Sequence, residues 1–96
     1  MNTYVVLVNY TDEGIKSVKE SPARADKVRQ WLEEAGGAVK DLYLTLGEYD
    51  FVIVFEAPDD ETMARVLLET GRLGTVRTKT MRALPKEVYH QLVDSL

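Results

Sequence analysis

The 96-residue sequence contains no cysteine and only one histidine, and these two scarcities remove several classes of function. Without cysteine there is no disulfide framework and no thiolate nucleophile. A single histidine leaves only carboxylates as metal ligands, and their positions show no ligand spacing. No Ser-His-Asp or Cys-His arrangement is present. We therefore expect neither a metal nor another cofactor, and no catalytic residue is assigned.

An excess of positive charge and a long apolar run are also missing. The 12 basic residues are outnumbered by 16 acidic ones, whereas a nucleic-acid groove needs a basic patch. A bilayer span needs about 20 apolar residues, and the start of the chain has no basic region typical of a signal peptide. We expect no nucleic-acid partner, no membrane association and a cytoplasmic localisation. The length predicts a single domain over residues 1–96.

The most informative stretch is a predicted β-hairpin between residues 42 and 57. Apolar residues alternate up to Leu46, Gly47-Glu48 is typical of a type II′ turn, and a second strand starts at Tyr49. If Leu46 lies opposite Tyr49, the hairpin has two distinct faces. The face expected to pack against helices carries Leu42, Leu44, Leu46, Tyr49, Phe51, Ile53 and Phe55. The other face, apolar in its middle and polar at its ends, carries Tyr43, Thr45, Asp50, Val52, Val54 and Glu56.

The remaining periodicities predict an α+β fold. After an apolar strand, Asp12 is expected to cap a short turn that runs to Lys19. The first long helix follows, with Ser21 as its N-cap and Pro22 at its first position, and it stops at Gly36-Gly37. A second helix is capped by Asp59 or Asp60, and a helix opened by Pro85 ends the chain. The predicted strands are 3–10, 38–46, 49–57 and 75–83. The order β-α-β-β-α-β with a C-terminal helix is that of a ferredoxin-like sandwich with an antiparallel sheet.

The second face of the predicted sheet is too apolar to face water. In the ferredoxin-like topology strands one and three are central, and their second face carries Val5, Leu7, Val52 and Val54. Helices cover only the other face. A second copy of the chain is the simplest cover, so we expect a homodimer or a higher homo-oligomer.

Three stretches in order resemble the GYD domain family. They are YTDEGIKSVKESPARA (residues 10–25), YLTLGEYDFVIVFEAPDD (43–60) and LGTVRTKTMRA (73–83). The family name refers to a Gly-x-Tyr-Asp region, here Gly47, Tyr49 and Asp50. The resemblance implies the dimeric α+β barrel class, in which two ferredoxin-like sheets face each other. It implies no reaction, because the family is functionally uncharacterised and the class includes monooxygenases, isomerases, haem enzymes and ligand sensors.

A candidate ligand site follows from the predicted faces. The polar residues Asn9, Tyr43, Thr45 and Asp50 are expected to form a rim around an apolar base on the second face. An apolar base with a polar rim is the usual layout of a small-molecule pocket. Ordinary packing at a dimer interface, with the hydroxyls bound to backbone or water, explains the same pattern.

Two carboxylates are candidates for acid–base chemistry on the same face. Asp50 and Glu56 lie at opposite ends of the third strand, and either side chain facing a cavity would be a general acid or base. The alternative is that both lie at strand ends, where they are solvated or form ion pairs with Arg77, Lys79 or Arg82 of the fourth strand. A further alternative for Asp50 is that its carboxylate accepts hydrogen bonds from backbone N–H groups near the turn.

Two further hypotheses concern isolated residues. Arg24 and Asp12 would either clamp a ligand carboxylate or form an ion pair that holds the preceding loop. His90 would either be an axial haem ligand in an apolar pocket or an exposed histidine on the terminal helix.

The functions that these observations favour are a small-molecule-binding or accessory role for a homo-oligomer, with a pocket between facing sheets. One alternative is a cofactorless enzyme with Asp50, Tyr43 or His90 in acid–base roles. A second alternative is a structural interaction module. The expected partners are a second copy of the chain and a small molecule.

Overall fold

The computed structural model describes all 96 residues, which form one four-stranded sheet and four α-helices. Their order is β1 (Asn2–Tyr10), α1 (Asp12–Lys16), a 3-10 turn (Val18–Glu20), α2 (Ser21–Glu34), β2 (Ala38–Leu44), β3 (Phe51–Ala57), α3 (Asp60–Arg72), β4 (Val76–Ala83) and α4 (Lys86–Asp94). All neighbouring strands are antiparallel, in the order β2-β3-β1-β4. The predicted ferredoxin-like α+β fold is confirmed, with β1 and β3 central.

The helix starts agree with the predicted capping only in part. Asp59 accepts a hydrogen bond of 2.8 Å from the N–H three residues later, so it is the cap of α3. At α1 the capping side chain is Thr11, one residue before the predicted Asp12, because Thr11 still has an extended backbone. Ser21 caps nothing, since Glu20 before it is already in a helical conformation and the 3-10 turn runs directly into α2.

One face of the sheet, here called the helix face, packs against α2 and α3 to form the core. The eight buried apolar residues are Tyr4, Val6, Val8, Leu32, Phe55, Ala57, Met63 and Val66. Six more apolar side chains pack against this core but stay partly exposed: Val28, Val39, Phe51, Ile53, Leu67 and Val76. The core is therefore continuous but incompletely closed.

The β2–β3 hairpin has the predicted register, but a longer connection. Leu44 lies opposite Phe51, as the predicted pairing requires. The ladder stops there, so residues 45–50 form a loop in place of a two-residue turn. Gly47 has the expected positive φ, at 120°. The prediction that Tyr49 lies on the helix face was wrong, because strand alternation ends with the ladder; its ring lies 5.7 Å from the ammonium of Lys79, on the other face.

The terminal helix α4 extends away from the two packed layers. None of its residues is buried, and its apolar side chains Tyr89, Leu92 and Val93 are each at least half exposed. The molecule accordingly measures 50 × 31 × 17 Å, with a radius of gyration of 14.5 Å, larger than the roughly 13 Å of a compact chain of this length. No helix combines the length and the apolar character that crossing a bilayer requires.

Candidate functional site

The open face, defined as the sheet surface opposite the helices, is apolar at its centre and uncovered. It carries the residues of β1 and β3 that alternate with the core residues: Thr3, Val5, Leu7, Asn9, Val52, Val54 and Glu56. Val5, Leu7, Val52 and Val54 are only half-buried. Register places Tyr43 beside Val52 and Met81 beside Val5, which extends the apolar surface towards both sheet edges.

Two of the four predicted site residues lie on the open face by register. Tyr43 is opposite Val52 and is 58% exposed. Asn9 pairs with Arg77 of β4, in the same strand alternation as Leu7. These two side chains are thus available at the edge of the apolar surface.

The other two predicted site residues are engaged in holding the hairpin loop. The carboxylate of Asp50 accepts a hydrogen bond of 2.9 Å from the backbone N–H of Tyr10. The hydroxyl of Thr45 donates to the carbonyl of Tyr49 at 2.6 Å. Both contacts match alternatives that the sequence left open, a backbone N–H donor for Asp50 near the turn and a backbone partner for the Thr45 hydroxyl. Asp50 thus connects the loop to β1, and Thr45 connects the two ends of the loop to each other.

The two candidate acid–base residues do not converge. Glu56 lies at the far end of β3 and pairs with Lys40 at 3.9 Å. Neither carboxylate pairs with a basic residue of β4, which was one of the alternatives; Glu56 pairs with Lys40 and Asp50 accepts a backbone N–H. Arg82 is paired instead with Asp60, at 3.4 Å. Arg82 is not available to either carboxylate, because it alternates to the helix face, opposite Tyr4.

Arg24 holds the segment before α2, although not through Asp12 as predicted. Its guanidinium donates to the carbonyl of Gly14 at 3.2 Å and to the carbonyl and hydroxyl of Ser17 at 3.3 and 3.1 Å. A carboxylate oxygen of Glu20 lies 3.8 Å away. Because these donors point at the chain itself, the loop-holding interpretation is favoured over a ligand clamp.

His90 is exposed on α4. Its ring meets that of Tyr89 edge-on, with centroids 5.3 Å apart. An axial haem ligand requires an enclosed apolar pocket, and an exposed position on a protruding helix does not provide one. Nor does any group of three His, Asp or Glu side chains converge closely enough to hold a metal ion.

A cluster around Tyr4 was not anticipated from the sequence. The Tyr4 hydroxyl donates to the carboxylate of Asp60 and lies 3.4 Å from the amide nitrogen of Asn2. Burial raises the pKa of Tyr4, and the hydrogen bond to the Asp60 carboxylate raises it further. The signal in the sequence was a tyrosine within an aliphatic strand, since a buried phenol needs a hydrogen-bond partner. With Arg82, the cluster ties β1, α3 and β4 together.

Comparison with known sequences identifies the family. The family profile described as the GYD domain matches residues 4–93. The chain belongs to the GYD domain family. A similar curated protein is the glutamine synthetase and cystathionine beta-lyase binding protein of Thermus thermophilus. It is 42% identical over 86 residues, which cover 88% of this GYD domain and 90% of the relative.

Solved structures with the same fold include regulatory proteins. A feast or famine regulatory protein from M. tuberculosis, complexed with L-methionine, superposes with a TM-score of 0.67 at 17% identity, over 90% of this GYD domain and 52% of that chain. The structure named FFRP-DM1 gives a TM-score of 0.62 at 21% identity, over 88% of this chain and 100% of the other. This GYD domain spans about half the length of the mycobacterial protein. At these identities the likeness shows the fold alone.

Proposed function

We propose that this GYD domain is a homodimeric accessory protein that binds other proteins, with the open face joining two copies. The observation that carries the proposal is the uncovered apolar surface on β1 and β3. Side chains such as Leu7 and Val52 occupy the centre of the sheet, yet they are only half-buried. Apolar surface of this extent on a small domain marks an interaction site.

A second copy fits the open face better than a helix of the same chain. Both packed helices, α2 and α3, lie on the helix face, and α4 extends away from the domain without a buried residue. Two sheets pack face to face at about 10 Å, with their side chains interdigitating. A four-stranded face offers the scale of area that a standard interface needs, about 800 Å² from each partner.

The space between two facing sheets would also hold the predicted ligand site. Asn9 and Tyr43 lie at the edge of the apolar surface, and Thr45 and Asp50 belong to the loop beside it. These four residues are proposed as the rim of any pocket that the dimer encloses. Thr45 and Asp50 would act mainly by positioning the loop, because their polar groups are engaged.

The proposed partner class is metabolic enzymes. Its support is the name of the Thermus thermophilus relative, which describes that protein as binding glutamine synthetase and cystathionine beta-lyase. Identity of 42% over nearly the whole of both chains supports a related binding role here. Exposed apolar groups remain for such a partner after dimerisation, on α4 at Leu92 and at the hairpin tip at Leu44 and Leu46.

The test is a direct binding measurement with the two enzymes named for the relative. Purified glutamine synthetase and cystathionine beta-lyase are titrated with the protein and followed by sedimentation velocity. We expect a complex with at least one of them, weakened by Leu92→Lys or Leu46→Lys. Leu68→Lys is the matched control, since Leu68 is also exposed but lies on the outer side of α3. Folded protein that binds neither enzyme contradicts this partner class.

A further inference from the structure

We propose that this GYD domain has a second site, on the helix face, that binds a small neutral hydrocarbon-like molecule. The site is a cavity of about 160 Å³ between the sheet and the helices α2 and α3. It is separate from the open face, and it goes beyond the proposed function, which does not use it.

The cavity lies where the hydrophobic core is incompletely closed. All six apolar side chains that remain only partly buried against the core line the cavity. All four strands contribute to its floor, and Val28 of α2 and Leu67 of α3 form part of its walls. The side chains of α2 at this point are small, Ala25 followed by Val28, so the helix leaves space above the sheet. Ala25 and Leu42, both exposed, mark an opening between α2 and β2.

The charged side chains of the lining are already engaged, and its two remaining polar side chains, Thr75 and Thr78, are neutral, which determines the charge of the occupant. Thr70 donates to the carbonyl of Val66 at 2.7 Å, and the Ser21 hydroxyl shares a hydrogen bond of 2.8 Å with Tyr10. Arg24 donates into the preceding segment. Arg29 pairs with two carboxylates on its own helix, at 3.0 and 3.6 Å. A charged ligand would lose its hydration without gaining an unpaired opposite charge, so the occupant is neutral.

The volume determines the size of the occupant. An apolar cavity of about 150 Å³ in another protein stays dry and binds benzene or xenon. The cavity here is of the same size, and its lining is dominated by Val, Leu, Ile and Phe side chains. One six-membered ring or a compact branched aliphatic group fits, whereas a long acyl chain does not.

The experiment uses toluene as a neutral probe and benzoate as its charged counterpart. Each is titrated into the full chain while the methyl resonances are followed by NMR. We expect saturable shifts with toluene at Val28, Ile53 and Leu67, and none at the open-face methyls of Val5 and Val54. Benzoate should shift none of these resonances. Absence of saturable toluene shifts, shifts confined to the open face, or equal binding of benzoate would each overturn the proposal.

Variants that fill the cavity locate the site. Val28→Phe should weaken toluene binding at least about tenfold, because its ring occupies the space. Ala23→Phe is the control on the same helix, at an exposed position outside the lining, and should leave binding unchanged. Ala25→Leu is a second filling variant in case Val28→Phe does not fold. A folded filling variant that binds toluene as tightly as the wild type refutes the assignment.

Discussion

The two faces of the sheet are formed by the same strands, but their side chains are buried to different extents. Along β1, Tyr4, Val6 and Val8 are at most 5% exposed on the helix face. Their neighbours Val5 and Leu7 are similarly apolar and remain half-buried on the open face. The hydrophobicity of a central strand therefore shows that both faces of the sheet must be covered. It does not show whether a helix of the same chain or another protein covers each face.

The apolar surface that the chain itself does not bury differs in shape between the two faces. On the helix face, α2 carries Ala25 and Val28 where larger side chains would fill the space, so a cavity remains. On the open face the side chains form a surface that no element covers. A cavity accommodates a small molecule, whereas an extended apolar surface is covered by another protein surface. The two proposals therefore assign a different kind of partner to each side of one sheet.

The largest expected effect comes from placing a charge at the centre of the open face. Val52→Lys would bury an unpaired ammonium between the two copies, so the dimer should dissociate. We expect its dissociation constant to rise at least about 100-fold, which corresponds to about 2.7 kcal/mol. Sedimentation equilibrium at micromolar concentration measures this. Leu68→Lys on the outer side of α3 should leave the dimer intact, and a wild-type protein that is monomeric at that concentration rules out the proposed role of the open face.

A matched pair of valines tests whether only the open face contributes to stability through dimer formation. Val6→Ala, on the helix face, should cost about 2 to 3 kcal/mol of unfolding free energy through lost burial and the space left behind. Val54→Ala, on the open face, should cost less than about 1 kcal/mol in a dilute monomer. Its cost should increase with protein concentration as the dimer forms, while that of Val6→Ala should not. Urea unfolding at several protein concentrations compares them, and equal concentration dependence contradicts the distinction.

The success of the sequence predictions follows the regularity of the backbone. Period-two alternation holds along β1 and β3, so the two faces and the pairing of Leu44 with Phe51 could be predicted. Beyond the last β2–β3 pair, the alternation of side chains no longer indicates which face a residue lies on, and Tyr49 was therefore assigned to the wrong face. A backbone N–H donor for Asp50 near the turn was one of the predicted alternatives, but the identity of that donor, Tyr10, depends on the loop path, which no local pattern specifies. The cavity could not be predicted either, because it arises from the spacing of helices above the sheet.

Gly47 tests the loop that brings Tyr49 onto the open face. Its φ of 120° disfavours a β-branched side chain, although nothing lies within 4 Å of the position of an added Cβ. Gly47→Val should therefore cost about 1 to 3 kcal/mol through backbone strain alone. Gly71→Ala is the control, because Gly71 is in α3 with equally open surroundings and ordinary φ. Thermal unfolding measures both, and an unchanged melting temperature for Gly47→Val is evidence against the strained conformation.

The smallest expected effect concerns Tyr4, whose hydroxyl ties the helix face to α3. Tyr4→Phe should cost about 1 kcal/mol, because the hydrogen bond to Asp60 is lost while the exposed carboxylate stays hydrated. The pKa of Tyr4 is raised by burial and by Asp60, so folding favours the neutral phenol. That contribution is complete below the unfolded pKa of about 10 and is lost as the pH rises through the folded pKa.

The stability of the wild type should therefore decrease as the pH rises past the unfolded pKa of about 10, and Tyr4→Phe should flatten this decrease. Tyr89→Phe, at an exposed tyrosine of α4, serves as the control and should keep the wild-type pH dependence. Urea unfolding at pH values below and above about 10 compares the three proteins. Parallel curves for the wild type and Tyr4→Phe would show that ionisation of Tyr4 is not linked to folding. A flattened curve for Tyr4→Phe alone would instead show that the helix face is held by a titratable contact, which the open face lacks at its apolar centre.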